Sequence, residues 1–324
     1  MTSLAATKTD KTRTKKVYDG PTPEEKIVSA LVELMEKGET PWRKEWNAEH
    51  GGHHINMITG HRYSGSNPFY LTMWAALRGY SMPFWLGVAQ AKAKGWYPKK
   101  GSKGCYILRP QLNKKELLDD AGEPALDAVG DPQIAAWVSY RAACVFNVAD
   151  LQGEGLAEAI AARQAELGPL VRTDHARQAT AEQALGRWTV PVSYGHTGAC
   201  YIPSEDRICL PDLQVFNNPE GFYATWAHET IHSTGHKSRL NRDLSGRMGS
   251  KAYAREELVA ELGAVLLCQR LEIGSEFKNH AAYLKHWIEL LKETPKLLFQ
   301  VMSEARKGAD LICPPDGEQA GAEG

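Results

Sequence analysis

Cysteine is sparse in this chain, six in 324 residues, and no two stand in a Cys-x-x-Cys spacing. With no signal peptide and no apolar run near 18 residues, the expectation is a soluble cytoplasmic protein with reduced thiols and no membrane association. Cys200 and Cys209 flank a hairpin and could meet across it, a pairing we do not expect to be oxidised. A Walker spacing is also missing. Lys99-Lys-Gly-Ser-Lys-Gly104 is rich in lysine and glycine but lacks that order, so no nucleoside triphosphate site is read there.

Net charge is nearly absent too, 38 Lys and Arg against 39 Asp and Glu, but it is unevenly spread. Residues 1–110 hold 17 basic against 9 acidic residues, which suits a polyanion partner for the first part and leaves the remainder acidic. The length favours two domains of ordinary size. Residues 1–19 are Thr, Lys and Ala rich without periodicity and read as a disordered basic tail. Order starts at Thr22-Pro-Glu-Glu, an N-cap followed by a first-turn proline and a capping-box glutamate. Ile27, Leu31, Leu34 and Met35 then face a core, and Gly38 with Pro41 ends the helix.

From Pro41 to Pro110 aromatic and basic residues interleave. Aromatic faces stack on unpaired bases at about 1–3 kcal/mol each while cations follow the backbone, so the alternation suits single-stranded nucleic acid. At this density most aromatics belong to a core, and Trp74, Phe84 and Trp85 are placed there. The candidate DNA contacts are Arg43, Lys44, Trp46, Arg62, Tyr63 and Asn67, together with Lys99, Lys100 and Lys103 on an expected hairpin tip. Residues 113–124 read as a turn-rich surface excursion between strands, with a strand resuming at Trp137.

The strongest signal is Ala227-His-Glu-Thr-Ile-His-Ser-Thr-Gly-His236. On a helix, His228 and His232 project about 40° apart with roughly 6 Å of rise, so their imidazoles can converge on one ion. Glu229 stands beside them in the H-E-x-x-H arrangement of zinc hydrolases, where a metal lowers the pKa of water to about 7 and a carboxylate takes its proton. Asn218-Pro219 starts the helix and Gly235 stops it.

Three protein ligands are the usual catalytic count, so a third is needed. His236 could serve only if the helix ran on through Gly235. The better candidate lies in Glu256-Glu-Leu-Val-Ala-Glu261, where Leu258, Leu262, Val265 and Leu266 form an apolar stripe and Glu257 and Glu261 share an adjoining face. Glu257 can reach the metal and Glu261 can orient a ligand histidine through its free N–H. The bland reading of both is as solvated carboxylates paired with Arg255 or Arg270.

Residues 151–172 read as an alanine-rich linker region before a helix at about 174–187. Val190–Tyr194 and Ala199–Pro211 read as strands, the hairpin around Ser204-Glu-Asp206 being a candidate sheet edge for pairing with an extended peptide. His280 or Tyr283 is suitably typed to donate to a developing oxyanion. From about 309 onward the composition suggests a loose tail.

His228-Glu-x-x-His232 followed by Glu-Glu-Leu-Val-Ala-Glu resembles a gluzincin, whose second motif reads Asn-Glu-x-x-Ser-Asp. The resemblance puts Glu257 in the ligand place and Glu261 in the orienting place. Glu256 and Ala260 depart from the pattern, which leaves Glu256 and Glu261 as alternative ligands.

A second resemblance spans most of residues 20–310. Ala30–Gly38, Pro41-Trp42, Asn56-Met-Ile-Thr-Gly60, Tyr63-Ser-Gly-Ser-Asn67, Trp85, Gln90-Ala91, Lys100-Gly-Ser-Lys-Gly104 and Val145-Phe-Asn-Val148 resemble the N-terminal domain of ArdC-type antirestriction proteins, a domain shared with some plasmid primases. That family pairs it with a zincin-like domain carrying His-Glu-x-x-His-x-x-Gly-His-x-x-Arg-Leu, matched here from His228 to Leu240.

The expectation is therefore α+β with two domains: a single-stranded DNA-binding domain at 20–150 and a zincin-like metallopeptidase domain at 173–308 with a small antiparallel sheet. The resemblance implies protection of incoming plasmid DNA from host restriction, with Zn2+ or another divalent ion such as Mn2+ as cofactor. The implied partners are single-stranded DNA and a protein substrate or restriction-system component. Rival expectations are a DNA-binding protector whose metal site is structural or dispensable, and a metal-dependent nuclease.

Overall fold

The computed structural model describes residues 20–38, 53–118, 123–127, 130–167, 173–274 and 281–314. Helix α1 (Pro23–Glu36) starts as expected: Glu25 N donates to Thr22 Oγ1 at 3.2 Å, and Thr22 N donates back to Glu25 Oε2 at 2.8 Å. There follow β1 (Ile55–Asn56), α2 (Asn67–Arg78), β2 (Phe84–Gly87), α3 (Val88–Ala93) and β3 (Tyr97–Pro98). The first half closes with β4 (Cys105–Glu116), β5 (Ile134–Asn147), β6 (Leu151–Gln152) and α4 (Leu156–Leu167).

The main sheet has the order β1-β2-β5-β4, with β1 parallel to β2 and the other pairs antiparallel. β3 pairs with β6, not with β4. The lysine loop 99–103 thus passes between two sheets and is not a hairpin tip.

β4 and β5 remain paired from Cys105↔Val145 to Glu116↔Ile134. Residues 113–116 and 134–136, expected in or beside a turn-rich excursion, are paired strand in a long ribbon. The ribbon is largely solvated beyond Leu108, with Leu112 and Ile134 exposed, so no buried face imposed the alternation by which a strand is read.

The second half comprises α5 (Asp174–Gly186), β7 (Val192–Ser193), β8 (Cys200–Ile202), β9 (Arg207–Cys209), α6 (Pro219–Thr234), α7 (Lys251–Leu271), α8 (Ala281–Glu293) and α9 (Leu297–Ile312). Its sheet, expected to be antiparallel, is mixed. The order is β7-β9-β8, and β7 joins β9 in parallel because the chain crosses to the far side of β9 before forming the β8–β9 hairpin. Cys200 faces Cys209 across that hairpin and both are free.

Two boundaries differ from expectation. The supposed linker holds β6 and α4, and Arg163 of α4 donates to the carbonyls of Met57 and Ile58 at 3.1 and 2.9 Å, tying this segment to the first sheet. The last helix runs to Ile312 with Ala309 fully buried, because small residues let it lie close to α6. Nor does each half close its own core. One apolar cluster holds Leu31, Leu34 and Trp85 together with Ile231, Leu262 and Met302, while a second, with Phe84, Leu86 and Phe146, includes Leu156 of α4. Among the described residues no helix is long and apolar enough to cross a membrane.

Candidate metal centre

Asn218 caps α6, its Oδ1 accepting from Gly221 N at 2.7 Å, with Pro219 in the first turn. Phe222 and Trp226 anchor one side of the helix in an aromatic cluster, ring centroids 5.9 Å apart. His228, Glu229 and His232 line a cavity of about 760 Å³. The facing wall is α7, which approaches closely at Gly263, where a Cβ would stand 2.7 Å from Ile231 Cγ2. This close approach brings Glu257 up to the histidines.

The Nε2 atoms of His228 and His232 are 3.1 Å apart. Glu257 Oε2 lies 3.6 Å from the first and Glu257 Oε1 3.6 Å from the second. Tetrahedral ligands at about 2.0–2.2 Å from a metal stand roughly 3.3–3.6 Å from one another, so these donors surround a point at the spacing a divalent ion requires. Among the described residues, His228, His232 and Glu257 form the cluster able to hold a metal, with one ligand atom from each lying within 4.8 Å of the others. Two neutral imidazoles and one carboxylate suit zinc or manganese.

The other Nδ1 atoms face carboxylates. His232 Nδ1 is 3.2 Å from Glu256 Oε1, and His228 Nδ1 is 3.9 Å from the fully buried Glu261, longer than a hydrogen bond. Glu256, considered above as a ligand, is turned away from the metal point. It is about 100° round the helix from Glu257 and is gripped by Arg242, Nε to Oε2 at 3.0 Å and Nη2 to Oε1 at 2.8 Å. His236 is also excluded from the cluster. The helix ends at Gly235, and the His236 ring turns to Ser238 Oγ at 2.8 Å.

Arg242 was missed in the sequence because its position depends on the chain folding back after Gly235. Leu240 N donates to Thr234 O and Arg242 N to Gly235 O, and a Cβ on Gly235 would stand 3.0 Å from Arg242 Nη2.

The electrostatics follow from this ring of groups. Burial alone would raise the Glu257 carboxyl, but the two imidazoles beside it hold it far below the usual carboxylate range. Burial likewise opposes ionisation of Glu256, and His232 with Arg242 outweighs it, lowering the pKa. Burial disfavours the His232 imidazolium, yet Glu256 and Glu257 push its pKa up to about 10. Without a metal, a proton takes the place of the cation.

Residues 179–304 match the zincin-like metallopeptidase family, and residues 22–134 match the N-terminal domain of anti-restriction factor ArdC. The fold also aligns with the crystal structure of antirestriction protein ArdC from plasmid R388 in its metal-free form. That match has a TM-score of 0.63 at 28% identity and covers 89% of this chain and 96% of the other. The chain joins an ArdC N-terminal domain to a zincin-like metallopeptidase domain.

The Mn(II)-bound R388 structure aligns with TM-score 0.62 at 28% identity, covering 93% and 99% of the two chains. A DNA primase TraC of Escherichia coli is 35% identical over 299 residues, 89% of this chain but 27% of the primase. The chain thus spans about a quarter of that relative's length. Sinorhizobium fredii protein y4eC is 29% identical over 299 residues, covering 88% of this chain and 90% of its own.

In the ArdC N-terminal domain, the expected DNA contacts separate. Lys100 and Lys103 are exposed, and Lys99 Nζ donates to Ala149 O at 2.8 Å. Arg62 is half-exposed, 4.0 Å from Glu272 Oε1. Tyr63 is partly buried against the core. Asn67 is committed to the fold: its Nδ2 donates to Leu108 O and its Oδ1 accepts from Leu108 N, both at 2.8 Å. Trp74, Phe84 and Trp85 are buried as expected. Arg43, Lys44 and Trp46 lie outside the described residues, as do His280 and the side chain of Tyr283. Tyr253, not singled out from the sequence, lines the metal cavity one turn before Glu257.

Proposed function

We propose that this is a cytoplasmic antirestriction protein that binds single-stranded DNA and carries a metal-dependent peptidase site. The observation that supports the peptidase reading is the convergence of His228, His232 and Glu257 in a cavity that Glu229 also lines. A divalent ion held by these three supplies Lewis acidity. Glu229 takes the proton from the attacking water and passes it to the leaving amine. Glu256 holds the His232 imidazole with Nε2 toward the ion, and Glu261 faces Nδ1 of His228 from 3.9 Å. Tyr253 offers its phenolic O–H to the developing oxyanion.

The peptide enters along β8, an edge strand of its sheet, where Cys200 and Tyr201 line the cavity. Main-chain pairing there places a scissile bond without demanding a particular sequence. The DNA-binding reading is supported by the match to the ArdC N-terminal domain and by its exposed lysine loop.

A Glu229→Ala variant tests the union of the two activities. Unmodified plasmid is delivered into a restricting host with either form, and oligonucleotide binding is measured in parallel. Loss of protection with intact DNA binding is expected. Full protection by Glu229→Ala would remove proteolysis from the function.

A further inference from the structure

A second cavity, about 580 Å³, lies where the two domains meet, between the start of α2, the root of the β4–β5 ribbon and one face of α9. Its size is that of a site for a small organic group. Phe299, Ser303 and Arg306 recur at helical spacing along α9 and so share the face that lines it. Tyr140 projects from the ribbon root, 49% exposed, and Phe299 is half-buried with its ring 6.4 Å from that of Tyr70. Tyr70 is fully buried, and its hydroxyl makes no hydrogen bond of normal geometry, Ser66 being its polar neighbour.

The charges at the rim favour an anion. Lys307 is exposed, and Arg306 stands 3.4 Å from Asp310, one turn away on the same helix. Of the acids that line the cavity, Glu304 is neutralised by Arg255 through bonds of 3.0 and 2.6 Å; Asp310 is itself held by Arg270 Nη2 at 2.5 Å, so Lys307 and a partly compensated Arg306 face Glu24. Aromatic faces beside adjacent cations are what an unstacked nucleotide requires, whereas a duplex hides its base faces.

We propose that this groove seats a nucleotide of single-stranded DNA, with the base against Tyr140 and Phe299 and adjoining phosphates on Arg306 and Lys307. The proposal rests on the single-stranded DNA reading above and adds a DNA contact from the zincin-like domain. It also sets that contact on a helix that braces the metal helix, since a Cβ on Gly308 would stand 2.8 Å from Thr234 Oγ1.

The test uses the full chain and a fluorescent oligo-dT strand, with anisotropy titrations across a salt series. Tyr140→Ala, a change at an exposed side chain, should weaken binding about tenfold. Arg306→Gln with Lys307→Gln should weaken it further and reduce the slope of log affinity against log salt by about 1.4, two phosphates at about 0.7 each. Mn(II) stoichiometry on the same samples checks that the fold is retained. Wild-type affinity and slope in variants that still bind Mn(II) would overturn the groove while leaving DNA binding by the protein in place. Absence of oligo-dT binding by the wild type itself would overturn both.

Discussion

Arg242 holds Glu256 in a two-point grip, and Glu256 in turn reaches His232 Nδ1 at 3.2 Å. The chain Arg242–Glu256–His232 fixes which imidazole nitrogen carries the proton and leaves Nε2 for the metal. A lysine cannot reproduce two parallel bonds to one carboxylate. Arg242→Lys should therefore lower metal affinity about 10–100-fold, the usual cost of losing a group that orients a ligand. Glu257→Ala should instead abolish stoichiometric binding, because it removes a ligand. Competition with a chromogenic chelator measures both, and equal losses for the two variants would contradict the division of roles between Glu256 and Glu257.

The approach of α7 to α6 depends on the missing side chain of Gly263. A Cβ there meets Ile231 Cγ2 at 2.7 Å and Ile231 Cδ1 at 3.0 Å. Gly263→Ala must push the helices apart or strain Ile231, at about 1–3 kcal/mol. Because Glu257 rides on α7, metal occupancy should fall with the melting temperature. Adding Ile231→Val removes Cδ1 but keeps the closer Cγ2, so it should recover only a small part of both, as read by calorimetry and metal analysis.

How far the sequence carried this picture depends on whether each feature is local. His228, Glu229 and His232 are legible because helix geometry alone places them, and Glu257 because it sits in a helix with a clear apolar stripe. Glu256 was ambiguous between ligand and support until Arg242 was seen to return to it after Gly235, a contact between separated segments. The ribbon was obscured because both its faces meet water and no periodicity was imposed. The shared core was hidden for another reason. An apolar stripe such as Ile27, Leu31 and Leu34 announces that it will be buried but does not name its partners, here α8 and α2 within the shared cluster.

Metal binding should depend on pH with a definite sign. The pKa of His232 in the metal-free chain is raised to about 10 by Glu256 and Glu257, so its imidazole is protonated at neutral pH. A metal needs it neutral, so binding must expel that proton. Affinity should rise as pH increases from 6 toward 9. Titration calorimetry at pH 7 in buffers of different ionisation enthalpy should show about one proton released per metal bound. Zero release would mean that the carboxylates do not hold His232 charged.

Asn67, expected to contact DNA, clamps α2 to β4. Its amide makes both hydrogen bonds that the Leu108 backbone can offer, at 2.8 Å each. Leu108 is the residue at which the ribbon leaves the body of the protein, so the clamp fixes that exit. Asn67→Ala leaves a backbone N–H and a C=O without these partners, at about 1–3 kcal/mol. The variant should unfold at lower denaturant concentration, and protection of the Leu108 amide from hydrogen exchange should fall. At temperatures where the variant remains folded, oligo-dT affinity should change by less than about twofold, since the Asn67 side chain is held against the Leu108 backbone by two hydrogen bonds.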